Sequence, residues 1–143
     1  NAESYVGGIV GFMQEGSVTK GNCCLYDCYN RGEILSDHTE DTGGILGQAD
    51  HYNTVYRNIN FGKVHYGNAI IGYRKNGNAI LYVDDNYYLE GSGGDWKATD
   101  SFSVGEIGNS SIYKGFDFTS VWEIVDGYPY IRNNPFQRTS YNK

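Results

Sequence analysis

Proline and methionine are nearly missing from this chain, at two residues and one residue of 143. Alanine, leucine and methionine together supply only 11 residues, against 47 for valine, isoleucine, tyrosine, phenylalanine and threonine. So small a stock of strong helix formers argues against a helical bundle and leaves strands and turns as the building material. No apolar run approaches the roughly 18–20 residues that a membrane-spanning helix needs, so membrane insertion is not expected. Positive charge is also scarce: 11 basic against 17 acidic residues give a net charge of −6 and a pI near 4.9. That balance speaks against nucleic acid or an anionic membrane surface as a partner, since both select cationic proteins. Motifs for catalysis are absent too. There is no His-Glu-x-x-His pair, no phosphate loop ending in Gly-Lys-Ser/Thr, and no local Ser/His/Asp signature. Neither catalysis nor a cofactor is expected.

Glycine, by contrast, contributes 20 residues, about twice its usual share of roughly 7%. Much of it falls in an internal repeat. Gly7-Gly8-Ile9-Val10-Gly11 recurs as Gly43-Gly44-Ile45-Leu46-Gly47, and more loosely as Asn68-Ala69-Ile70-Ile71-Gly72. A second landmark follows each copy: Asp27–Ile34 matches Arg57–Val64, and Asp85–Leu89 is its partial third echo. Spacings of 36 and 25 for the first landmark, and 30 and 28 for the second, indicate stacked units of one supersecondary type. Each unit carries only short apolar strands, such as Tyr5–Phe12, Gly43–Gly47 and Ala69–Tyr73. One unit cannot bury its own apolar side, whereas a stack buries a continuous column. The expected fold is all-β: a short right-handed β-solenoid of about three irregular coils. The recurrent Gly7, Gly8, Gly11, Gly43, Gly44 and Gly47 suit tight corners and close backbone approach. Asn30, Asn60, Asn76 and Asn78 read as left-handed corners, while Cys28, Asn58 and Asn86 align as one structural column about thirty residues apart.

These stretches resemble the GLUG repeat, named for its Gly-Leu-any-Gly core and found in many copies in large secreted or surface proteins of bacteria. GGIVG, GGILG and the following Cys-Tyr-Asn-x-Gly-x-Ile pattern carry the likeness, which covers about residues 5–90. The third copy departs from it, with Asn68-Ala69 in place of the paired glycines. The resemblance implies a secreted or cell-surface location and a non-catalytic role in display or adhesion. The chain would then be a monomeric, C-terminal piece of a longer array.

Beyond residue 90 the pattern changes. Gly91-Ser92-Gly93-Gly94 reads as a flexible boundary between repeats over 1–90 and a β-rich cap over 91–135, followed by a frayed tail over 136–143. Asp126-Gly127 between Val121–Val125 and Tyr128–Arg132 predicts a hairpin with a type I′ turn, and Pro129 confines its strand to an edge. A terminal element is needed to block the open end of a stack, and this hairpin, with Trp122, is the candidate. A Trp-x-Ile-x-Asp-Gly-Tyr-Pro segment is also similar to the region that closes GLUG arrays.

Few constellations suggest chemistry. Cys23, Cys24 and Cys28 lie within six residues. Cys28 suits a small residue in a stacked column; a Cys23–Cys28 or Cys24–Cys28 disulfide is the alternative. A structural zinc site lacks a second ligand cluster. His38, His51 and His65 read as solvated loop residues. The acidic pairs Glu40-Asp41 and Asp84-Asp85 could hold calcium with nearby carbonyls, but neither an EF-hand loop nor a Gly-Gly-x-Gly-x-Asp repeat is present. In register, Asp27, Arg57 and Asp85 form a ladder of alternating charge. Tyrosine is abundant at 14 residues, and most must pack the core and edges. Tyr52, Tyr56, Tyr66 and Tyr73 are the candidates for a ligand-binding surface, since exposed tyrosines stack on sugars and anchor protein contacts. The expected partner is a host or cell-surface protein or a glycan. Two alternatives are a carbohydrate-binding module of a glycan-degrading enzyme and an accessory domain of a surface metallopeptidase. A polysaccharide lyase of β-helical type would need more coils and a groove of cationic bases.

Overall fold

The computed structural model describes residues 5–14, 23–37, 40–50, 52–74, 81–94 and 101–133. Among them the chain is all-β, with one short 3-10 turn at Ser110–Ile112. Among these residues no helix is long and apolar enough to cross a membrane.

The described chain makes three successive passes and part of a fourth. The first contains β1 (Val6–Gly7), β2 (Val10–Met13), β3 (Cys24–Tyr26), β4 (Tyr29–Asn30) and β5 (Ile34–Leu35). The second repeats the order as β6 (Thr42–Gly43), β7 (Leu46–Ala49), β8 (Asn53–Tyr56), β9 (Ile59–Asn60) and β10 (Val64–His65). The third holds β11 (Ile71–Arg74), β12 (Leu81–Asp84) and β13 (Asn86–Leu89). Each strand pairs in parallel with its equivalent in the next pass, giving small sheets ordered β1-β6, β2-β7-β11, β3-β8-β12 and β5-β10. A fifth, β4-β9-β13-β14, is extended by β14 (Ser101–Val104). The registers Gly7↔Gly43, Gly43↔Asn68, Ile34↔Val64 and Ile59↔Tyr87 reproduce the offsets of the sequence repeat.

On β3, β8 and β12 burial alternates as a pleated strand requires. Leu25, Val55 and Val83 form one inward row and are buried, while their strand neighbours point out. Ile45, Leu46, Val55 and Ile71 have no measurable or almost no exposure; removing each from water is worth about 1.5–3 kcal/mol. Close approach explains the paired glycines. A β-carbon on Gly44 would lie 2.1 Å from the Ala69 carbonyl oxygen and 2.4 Å from Asn60 Nδ2.

Polar groups inside the stack are tied across passes. The backbone N–H of Cys28 donates to Asn58 Oδ1 at 3.1 Å, and that of Asn58 donates to Asn86 Oδ1 at 3.1 Å. Asn58 Nδ2 donates to the Leu25 carbonyl and to Asn86 Oδ1, and Asn86 Nδ2 donates to the Val55 and Asp84 carbonyls. Each asparagine thus reaches back to the pass before it. Cys28, in the first described pass, has no described pass to reach. A second ladder runs from Asn30 Nδ2 to Asn60 Oδ1 at 2.9 Å.

Three expectations need correction. Asn30 and Asn60 are extended strand residues, not left-handed corners; their amides bond the backbone of Gly32 and Gly62 instead. The left-handed corner is formed by Asp27, Arg57 and Asp85, at φ 49°, 53° and 49°. Asn76 and Asn78 lie outside the described residues. The Gly91–Gly94 segment is no flexible boundary either. The Ser92 carbonyl accepts from Val64 N–H, Gly94 N–H donates to Gly67, and Gly94 bridges Asn68, so the parallel stacking continues past residue 90.

The third correction concerns the hairpin. β15 (Trp122–Val125) and β16 (Tyr128–Ile131) pair antiparallel about Asp126 and Gly127, both at positive φ as a type I′ turn demands. Yet the hairpin lies along the flank of the stack instead of over its last strand. Trp122 and Tyr130 pack on Tyr29 of the first pass, and Tyr128 packs on Phe61 of the second. The reason is an outward apolar stripe along β4, β9 and β13, with Tyr29, Ile59 and Tyr87 in register and Phe61 just past β9. That stripe has to be covered, and it joins Ile59, Tyr87, Tyr113 and Trp122 in a second apolar cluster. The tail at 136–143 lies outside the described residues.

Asn58→Ala should strand a buried N–H and a buried C=O at the centre of the stack, costing about 2–4 kcal/mol. Tyr66→Ala, at a residue 71% exposed, should stay within about 0.5 kcal/mol. Urea unfolding midpoints of the two variants test the difference; equal midpoints would remove the asparagine ladder as a stabilising feature.

Candidate functional site

The outward face of β3-β8-β12 is a grid of side chains two columns wide. Alternation and register place Cys24, Thr54 and Tyr82 in one column and Tyr26, Tyr56 and Asp84 in the next. Neighbouring rungs of a sheet stand about 4.8 Å apart, close to the thickness at which rings stack. Tyr26 and Tyr56 do so, with centroids 5.1 Å apart and planes inclined by 17°.

The left-handed corner closes one side of this face. Arg57 donates from Nε to Asp27 Oδ1 at 2.9 Å and from Nη2 to Oδ2 at 2.7 Å, a bidentate pair. Trp122 Nε1–H donates to the same Oδ1 at 3.1 Å, so the flanking hairpin is pinned to the corner. The bond to Asp27 holds the Arg57 guanidinium protonated beyond its already high ordinary range, against the opposing effect of burial. Burial, reinforced by the Asp27 carboxylate, pushes the Cys28 thiol up. A left-handed conformation costs a residue with a β-carbon about 1–3 kcal/mol. This corner carries it because ring and carboxylate contacts converge there. The guanidinium carbon lies 4.5 Å from the Tyr56 centroid and 5.8 Å from that of Tyr26.

Between this corner and the chain beyond β14 lies a groove of about 430 Å³, lined by Thr54, Tyr56, Arg57, Tyr82, Val83, Asp84, Asp85 and Gly115. Gly115 forms its far wall at φ 77°, where a β-carbon would lie 2.7 Å from Asp85 Oδ2. The wall is anchored from below. Lys114 N–H donates to the Tyr87 hydroxyl at 2.8 Å, and the Tyr113 hydroxyl donates to the Ile107 carbonyl at 2.6 Å. Burial raises the hydroxyl pKa of both tyrosines, most for Tyr113.

Of the tyrosines singled out from the sequence, only Tyr56 lines the groove. Tyr52 sits at a left-handed position just before β8, Tyr66 is exposed in the turn after β10, and Tyr73 lies in β11. They do not converge on one surface. Tyr82, 58% exposed, is the groove residue that sequence reasoning missed. Its signal was present in the repeat: an offset of 28 from Thr54, the same as that linking Ile59 to Tyr87. No disulfide joins Cys23, Cys24 and Cys28, and the Cys28 S–H donates to the Tyr26 carbonyl. His65 Nε2, in β10, pairs with the exposed Glu33 just before β5 at 2.5 Å; His38 and His51 lie outside the described residues. Asp27 and Arg57 of the expected charge ladder are joined directly, and Asp85 occupies the same corner one pass on. No family model matches this chain, and no curated protein or solved structure does either.

The flank tyrosines make stability alkali-sensitive. An acid whose folded pKa is raised stays neutral in the fold after its unfolded counterpart ionises, near pH 10. Stability from Tyr87 and Tyr113 is therefore complete below about pH 10 and lost as pH rises further. Absorbance at 295 nm against pH should show these two hydroxyls ionising only together with loss of near-ultraviolet circular dichroism. Ionisation of all tyrosines before unfolding would contradict it.

Proposed function

We propose that this chain is a non-catalytic extracellular repeat module, a short right-handed β-solenoid of about three irregular coils that displays side chains for adhesion at a bacterial surface. One observation carries the reading: strand after strand pairs in register with its equivalent in the preceding pass, and buried asparagine amides hold that register. Outward side chains are thereby kept at fixed separations before any partner arrives, which lowers the entropy lost on binding. The likeness of GGIVG and GGILG to the GLUG repeat supports the location and the role.

A second reading, a carbohydrate-binding module attached to a glycan-degrading enzyme, is favoured by the exposed Tyr82 beside a groove that Thr54, Asp84 and Asp85 also line. Both readings place the working surface on the outside of the stack.

Microspheres coated with the chain should adhere to bacterial or epithelial cell layers, and soluble chain should compete them away. Retention no greater than that of albumin-coated spheres would overturn the adhesive reading. A crystal structure showing left-handed coiling would overturn the right-handed solenoid.

A further inference from the structure

We infer that the groove on the outer face of β8 and β12 binds an uncharged glycan, with a pyranose ring lying on Tyr82 and its hydroxyls shared between Asp84 and Arg57. The assignment rests on the adhesive reading only in giving the groove a ligand from outside the cell.

Shape, stacking surface and charge agree on this ligand. At about 430 Å³, the groove falls within the usual range of ligand clefts, about 300–1,000 Å³. A sugar presents a C–H face that packs on an uncovered aromatic ring. Tyr56 is engaged by Tyr26 and by the Arg57 guanidinium, whereas Tyr82 is 58% exposed on the same face. Sugar hydroxyls both donate and accept, so they need both partners within one ring's width. Asp84 and Asp85 supply acceptors, Thr54 supplies either, and Arg57 commits only two of its five N–H groups to Asp27.

Charged ligands fit less well. An anion would face Asp84 and Asp85 together with a guanidinium already neutralised by Asp27, on a chain of net charge −6. A cation would meet that guanidinium 4.5 Å from the centroid of Tyr56. An extended peptide would add to the edge of β12, whereas Thr54, Tyr56, Tyr82 and Asp84, the outward side chains of β8 and β12, line the groove from the face of the sheet.

The test is a titration of the ¹⁵N-labelled chain, followed by amide shifts. The probes are cellotetraose, mannotetraose, maltotetraose and laminaritetraose, with tetragalacturonate, a chitosan tetramer and a blocked Val-Thr-Val-Thr peptide as charged and extended competitors. At least one neutral tetrasaccharide should saturably shift Thr54, Tyr82, Asp84 and Gly115 while leaving the amides of the 122–131 hairpin in place. Tyr82→Ala should weaken that binding about tenfold or more, and Tyr66→Ala should not change it. The assignment fails if no neutral saccharide binds, if only a charged or peptide probe does, if the shifts map elsewhere, or if Tyr82→Ala changes affinity less than about twofold. Coated microspheres separate the two readings. Adhesion without saccharide binding overturns the groove and spares adhesion, and saccharide binding without adhesion does the reverse.

Discussion

The constraint on which the rest of this structure depends is the register of the stacked passes, and buried amides enforce it. Short strands of two to four residues cannot hold alignment by backbone pairing alone, because a slip of one residue would still leave a ladder. Asn58 removes that freedom. Its carboxamide accepts from the pass before and donates both to that pass and to the Asn86 side chain of the pass after it. A shifted register would leave several buried polar groups without partners, at about 1–3 kcal/mol each. The same lock brings Tyr26, Tyr56 and Asp84 into one outward column.

Covering the flank is the second task, and it links the ends of the described chain. The apolar stripe of Tyr29, Ile59 and Tyr87 on β4, β9 and β13 would be an exposed surface if left bare. Residues 107–131 run back along it, so that Trp122 meets Asp27 and Arg31 bonds the Tyr130 hydroxyl. Arg31 also lies 4.6 Å from the Tyr128 ring centroid. Through Asp27, the hairpin is coupled to Arg57 and to one border of the groove. The packing that completes the second core and the geometry of the outer face are therefore one arrangement.

Much of this could be read from residues alone. The shortage of helix formers pointed to an all-β chain, and the offsets between GGIVG, GGILG and NAIIG are the offsets of the observed registers. Asp126-Gly127 announced its turn because both residues tolerate positive φ. Where reading failed, a tertiary contact had overruled a local preference. Asparagine is a good left-handed residue, yet Asn30 and Asn60 are extended because their amides are needed across the stack. Arg57 is a poor one, yet it takes the corner because its guanidinium is held by Asp27 and lies against Tyr56. The glycines of 91–94 suggested a hinge, but Ser92 and Gly94 continue the parallel stack.

By itself, then, the order of residues decided the strand-and-turn character, the repeat length and the hairpin, since these follow from propensity and periodicity within short windows. Tertiary structure alone decided which corner turns left-handed and that the hairpin covers a flank and not an end. Those outcomes hinge on contacts between residues 28 to 99 positions apart, where burial and pairing outweigh what any single segment prefers.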